Sequence, residues 1–151
     1  MQLNKSTVYA INIMIHLAKN QCVISSAELS RSLAISKRYL LKIAAKLRDS
    51  KMVGVSFGPV GGYSLRKAPM EISVYDIVML MEGNIISPYN VRDGPDTELC
   101  FQDAMNFLKT YVETYLRSMT LDKLTNRGAN DWAAEITTLV ESHIDSLLQY
   151  V

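Results

Sequence analysis

The sequence predicts a mainly α-helical protein with one small β-hairpin: a winged helix-turn-helix followed by a long dimerisation helix. Three observations carry that prediction. Two short helical patterns adjoin across a two-residue turn at Ala34–Ile35. Apolar alternation flanks a glycine-rich tip at residues 58–62. An apolar stripe of coiled-coil period runs from Phe101 to Met119.

Composition sets the frame for these elements. A chain of 151 residues suffices for one core, or for a small domain plus an oligomerisation element. Its 48% hydrophobic and 21% charged residues are those of an ordinary soluble globular protein. No apolar run reaches the ~18 residues of a membrane span, so no membrane partner is expected. Residues 8–18 (VYAINIMIHLA) are apolar but short, and no small-residue cleavage site follows them, which argues against a signal peptide. Two cysteines, Cys22 and Cys100, are too few for a disulfide framework, and the expected location is the cytoplasm.

The net charge of +1 conceals an asymmetry. Residues 1–70 carry eleven Lys and Arg against Glu28 and Asp49, a net of +9; residues 71–151 carry five basic against thirteen acidic residues, a net of −8. Such a split suits a basic module for a polyanion joined to an acidic body, although uneven surface charge alone could produce it.

Residues 7–19 have helical character and are apolar on nearly every side (Val8, Ala10, Ile11, Ile13, Met14, Ile15, Leu17, Ala18), so this helix is expected to be covered from two directions. Ser25 and Glu28 form a capping box opening a short helix with Ala27, Leu29 and Leu33. Ser36 caps the next helix, whose inner stripe is Leu40, Ile43, Ala44 and Leu47. Its outer face begins with Lys37, Arg38 and Tyr39 and continues through Leu41, Lys42, Ala45 and Lys46. Tightly joined helices with cations at the start of the second fit a helix-turn-helix.

Next, Val53, Val55 and Phe57 alternate before GPVGG, and Tyr63 and Leu65 alternate after it. This is a hairpin with Gly58, Pro59, Gly61 and Gly62 at its tip. A phosphate loop does not fit: GxxxxGK[ST] is missing, the glycine spacing is not GxGxxG, and the segment leads into a strand rather than a helix. Two uses remain open for Gly61 and Gly62. Bare backbone can approach a phosphate or enter the minor groove, or a tight turn can need positive φ.

Ser73 with Asp76 opens a further helix that Gly83 should stop. Residues 84–96 (NIISPYNVRDGPD) read as a loop. A long helix then runs from Thr97 to about Ser118. Its seam is Phe101, Met105, Leu108, Val112, Tyr115 and Met119, the candidate dimer interface. The stripe could instead cover the chain's own core, and a second set (Ala104, Tyr111, Leu116) suggests two buried faces. A final helix from Asn130 or Asp131 carries Trp132, Ile136, Val140, Ile144 and Leu147. The expected division is residues 1–83 as the winged helix-turn-helix, 84–96 as a loop with a candidate sensor role, and 97–151 as the dimerisation and C-terminal helices.

The run from YxxxxMIHLA through ISKRYLLKIAAKLRDSKMV, GPVGGYSL and ISVYDIVMLMEG resembles the Rrf2 family of bacterial winged-helix regulators. The resemblance covers residues 1–83, and TLDKL at 120–124 matches a segment after that family's dimerisation helix. It implies a homodimer with crossing long helices that presents two winged helices to a palindromic operator in double-stranded DNA. The candidate contacts are Ser36, Lys37, Arg38, Tyr39, Leu41, Lys42, Pro59, Gly61 and Gly62.

The departures from the family pattern are informative. Leu41–Lys42 stand where Glu-Gln is common; a glutamate can accept from a cytosine amino group, whereas Leu41 can touch only a thymine methyl. Phe57 stands where an arginine usually precedes the wing's Gly-Pro, and strand packing is the expected role for it rather than a wedge into DNA. Beyond residue 125 no match is found. Cluster-bearing members place three cysteines before and within the first turn of the long helix; here Cys100 stands alone, with Pro88 and Gly94 near the other positions. One thiolate there cannot hold a four-ligand iron–sulfur cluster, so no cofactor is expected. His16 and His143 lack partner ligands nearby and are not expected to bind metal.

Cys22 and Cys100 are candidate redox sensors. Lys19 favours a thiolate at Cys22, and the start of the long helix does so at Cys100, where Asp93, Asp96, Glu98 and Asp103 oppose it. Inert cysteines are the alternative. No nucleophile–base pair or metal set supports catalysis. The remaining readings are a winged helix used for protein contacts and a small-molecule binder using residues 84–118, with Tyr89 and Tyr111 lining its site.

Overall fold

A computed structural model of the chain describes residues 3–85, 96–126 and the pair 137–138; for residues 96–100 and 102 it describes the backbone alone. Most of the expected 84–96 loop, with Tyr89, and all of the expected C-terminal helix but residues 137–138, Trp132 and His143 included, lie outside the described residues. Helix α1 spans Lys5–Asn20, α2 Ser26–Ser32 and α3 Lys37–Asp49. Strands β1 (Val53–Ser56) and β2 (Gly62–Leu65) pair antiparallel, with Val53 opposite Leu65 and Ser56 opposite Gly62. A 3-10 turn at Pro69–Glu71 leads to α4 (Val74–Glu82), and α5 (Asp96–Ser118) and α6 (Leu121–Asn126) follow.

Local chemistry explains the boundaries. Ser25 Oγ accepts from the Glu28 N–H at 3.2 Å, so the Ser25 half of the expected capping box opens α2. At α4 the box is complete: Ser73 Oγ accepts from the Asp76 N–H, and Asp76 Oδ2 accepts from the Ser73 N–H and hydroxyl. Gly83 ends that helix at φ +76°.

The main core gathers the inner face of α1 (Ala10, Ile13, Met14, Leu17) with Leu29, Leu40, Ile43 and Leu47 of α3, Val53, Ile72 and Ile77. A second cluster joins Val74, Val78, Ile85 and Leu116, with Ile11 of α1 reaching both clusters. Helix α1 is therefore apolar on two sides because it faces two cores, although Val8 remains 44% exposed. Arg117 lies over the Tyr75 ring at 3.5 Å and adds a polar tie between α5 and α4.

Two long-range connections complete the fold. Glu82, the last residue of α4, takes up the start of α1: its carboxylate accepts from the Asn4 N–H at 2.9 Å and from the Asn4 amide and Thr7 hydroxyl. After α5 the chain returns to the winged helix. The Val74 N–H donates to Met119, the Leu121 N–H donates to Ile72 at 2.9 Å, and Leu121 is fully buried in the main core. The TLDKL segment, assigned from sequence to the third part of the chain, thus completes the core of the first.

Candidate nucleic-acid interface

The turn between α2 and α3 is fixed by its own hydrogen bonds. The Ile35 N–H donates to the Ser30 carbonyl at 3.1 Å, and the Ser30 hydroxyl donates back to the Ile35 carbonyl at 2.5 Å. Ala34 takes the left-handed conformation at φ +51°, which lets the chain turn sharply in so few residues. Ser36 then caps α3, its Oγ accepting from the Tyr39 N–H at 3.3 Å.

Leu40, Ile43, Ala44 and Leu47 are buried, which fixes the rotation of α3 and turns Lys37, Arg38, Leu41, Lys42 and Lys46 outward. Ala45, assigned to the outer face, is half-buried. Among the described residues no carboxylate lies within ion-pair distance of Lys37, Arg38 or Lys42, whereas Arg48 is engaged by Asp49 at 2.8 Å. Two of these free cations sit in the first turn, which holds no acidic residue, and there the helix dipole disfavours positive charge. The arrangement costs the isolated fold stability and suits an incoming anion.

Tyr39 divides its surface between interior and solvent. Its ring is half-buried and packs edge-on against Tyr9 with centroids 5.7 Å apart. It therefore braces α3 against α1, leaving Lys37, Arg38, Leu41 and Lys42 as the outward groups among the candidates on this helix.

The ribbon is attached by a contact that the sequence reading missed. Ile24, in the α1–α2 connection, exchanges both backbone hydrogen bonds with Tyr63 at 2.9 and 2.8 Å and adds a single-residue third strand. The signal for it was the β-branched pair Val23–Ile24 between a helix end and a cap. At the tip, the Gly61 N–H donates to the Gly58 carbonyl at 3.0 Å.

The positive φ belongs to Gly58, at +107°, and Gly61 and Gly62 do not share it. The turn-conformation account of those two glycines is therefore corrected, and their requirement is steric. A Cβ on Gly62 would lie 2.2 Å from the Ile24 carbonyl oxygen, and one on Gly61 would lie 2.5 Å from that of Ser56. Pro59 and Val60 form the protruding corner. Phe57, expected to pack along its strand, is 94% exposed and belongs to neither described core cluster; β1 ends at Ser56, so Phe57 has already left the ladder.

The seam on α5 splits along its length. Val112 and Met119 pack on the second cluster with Leu116, while Met105 and Tyr115 are half-buried. Phe101 and Leu108 are 60% and 46% exposed, and Ala104 of the proposed second face is also exposed. Of the cysteines, Cys22 is an exposed free thiol on the α1–α2 connection; the Cys100 side chain lies outside the described residues. His16 is half-buried within α1, its carbonyl taken by the Asn20 amide. Among the described residues no three His, Cys, Asp or Glu converge as a metal site, and no helix is long and apolar enough to cross a membrane.

A family model for Rrf2, described as an iron-dependent transcriptional regulator, matches residues 3–127. The chain is 30% identical over 128 residues to the HTH-type transcriptional regulator CymR of Bacillus subtilis, across 83% of this chain and 91% of that protein. It is 27% identical over 131 residues to the HTH-type transcriptional regulator IscR of Photorhabdus laumondii, across 83% and 80%. Among solved structures, it is similar to Staphylococcus aureus CymR in its oxidized form, with a TM-score of 0.67 at 28% identity, covering 85% of this chain and 98% of that one. It is similar also to T. potens IscR, with a TM-score of 0.66 at 25% identity, covering 82% and 85%.

Proposed function

Because the chain belongs to the Rrf2 family of helix-turn-helix transcriptional regulators, we propose that it acts as a homodimer on a palindromic operator and represses transcription without an iron–sulfur cluster. The observation that carries this reading is the outer face of α3. Lys37, Arg38 and Lys42 are exposed, with no ion-pair partner among the described residues, on a helix whose rotation the buried stripe has fixed. Such a face can place cations on phosphates while Leu41, 44% exposed between them, meets base edges such as a thymine methyl. Ser36 and Tyr39 serve by holding the start of the helix, and Pro59 with Gly61 and Gly62 shapes the wing. Repression is assigned because occupancy of the operator is enough to produce it.

The donor set does not fit a four-thiolate cluster. The whole chain contains two cysteines, and Cys22 stands on the α1–α2 connection, far along the sequence from Cys100 in α5. A thiol-responsive reading rests on Cys22, which is exposed and lies two residues before the Ile24 bridge that holds the wing.

The test is binding to duplexes selected from a random library, measured by anisotropy. For six to ten phosphate contacts per dimer, affinity should fall about 10³- to 10⁵-fold between 50 and 200 mM salt. Lys42→Ala should lower the slope of log K against log salt by about 0.9 for each contact removed. A flat salt response would contradict the DNA reading. Repeating the titration after mild oxidation, with Cys22→Ser as the control, reads the thiol response in the same assay.

A further inference from the structure

We propose that Phe57 and Val60 form an apolar wedge at the wing tip that enters the DNA minor groove at a flexible pyrimidine–purine step. This assigns the wing a salt-insensitive share of recognition, and it rests on the DNA-binding reading above. Phe57 is 94% and Val60 93% exposed, the most exposed large apolar side chains described. Among the described residues neither contributes to a core, so the described fold does not account for them.

Charge around them indicates the occupant. Residues 52–65 contain no charged side chain, whereas Lys51, Arg66 and Lys67 are exposed where the two strands begin and end. Backbone pairing brings those ends together, since the Arg66 N–H donates to the Met52 carbonyl at 3.0 Å. Gly54 leaves room for the Arg66 stem, whose Cγ would lie 3.2 Å from a Cβ at that position. The ribbon thus carries cations at its root and apolar groups at its tip. The root suits the phosphates that border a groove, and the tip suits deoxyribose and base edges inside it.

The tip is also preorganised, because the Gly58–Gly61 turn is closed by a hydrogen bond and the ribbon is tied to Ile24. A minor groove about 6 Å wide accepts such a tip edge-on. Apolar wedges work by partly unstacking a base step, which costs least at TA and CA/TG steps. An arginine at this place would read groove width by charge; Phe57 reads deformability instead.

The experiment compares wild type, Phe57→Ser, Val60→Ser and Phe57→Arg by sequence selection and by salt titration of the selected duplexes. Circular dichroism and light scattering provide the check on fold and mass. Wild type should enrich a pyrimidine–purine step beyond each half-site. Phe57→Ser should lose that enrichment and on the order of tenfold in affinity, at an unchanged salt slope. Val60→Ser should move the same way to a lesser extent, and Phe57→Arg should regain affinity with a steeper salt slope. Equal affinity and equal selected sequences for wild type and Phe57→Ser would overturn the wedge while leaving the DNA reading intact. A change of mass in Phe57→Ser would overturn it in favour of a contact between copies. Absence of duplex binding by wild type would overturn the reading beneath it.

Discussion

At Gly62 the smallest available change is already too large. An added methyl would meet the Ile24 carbonyl oxygen at 2.2 Å and its carbon at 2.5 Å, and Cβ has no rotamer with which to escape. Gly62→Ala should therefore separate β2 from the α1–α2 connection and cost about 1–3 kcal/mol or more in urea unfolding. An unchanged midpoint would show that the bridge is dispensable. The sequence made Gly62 conspicuous but could not supply its reason, because the obstructing Ile24 backbone stands 38 positions upstream. Phe57 failed for a related cause. Alternation predicted its side of the strand, yet the ladder stops one residue earlier. Periodicity tells which way a side chain turns and leaves open whether anything is there to meet it.

The helices were legible wherever their determinants are local. Ser25, Ser36, Ser73 with Asp76, and Gly83 act over three or four residues, and each sits at the boundary that the sequence indicated. The junction of α4 with α1 was not legible, since Glu82 and Asn4 are 78 positions apart. This junction has a pH signature. The Thr7 hydroxyl first, then the Asn4 backbone N–H, hold the Glu82 carboxyl below the usual carboxylate range, with weaker help from its other contacts. The folded chain then binds fewer protons here than the unfolded chain. The stabilisation is complete above the usual carboxylate range and is lost as pH falls through the lowered folded value. Urea midpoints measured from pH 7 down to about pH 3 should fall further for wild type than for Glu82→Gln, with the difference opening below about pH 5. Parallel curves would mean that the carboxylate does not hold the two helices together.

For the whole molecule, the main question is which surface a second copy would cover. Heptad spacing on α5 revealed an apolar seam but could not say how much of it the chain keeps for itself. Val112 and Met119 turn to the chain's own second cluster, while Phe101 and Leu108 stay exposed with Phe107 beside them. Leu108→Glu should therefore halve the mass in sedimentation and leave the winged helix folded. It should also weaken operator binding about 10²- to 10⁴-fold, because two linked half-site contacts become one. A variant that stays dimeric would place the interface elsewhere. Leu121 carries a different consequence, which concerns synthesis. The winged helix lacks a core residue until the chain has passed through α5 and returned, so an emerging polypeptide cannot finish its DNA-reading head early. By the time residue 121 has left the ribosome and closed that core, the exposed stretch of α5 has been made as well. A completed head therefore always comes with the exposed face of α5 already made, the face that Leu108→Glu tests.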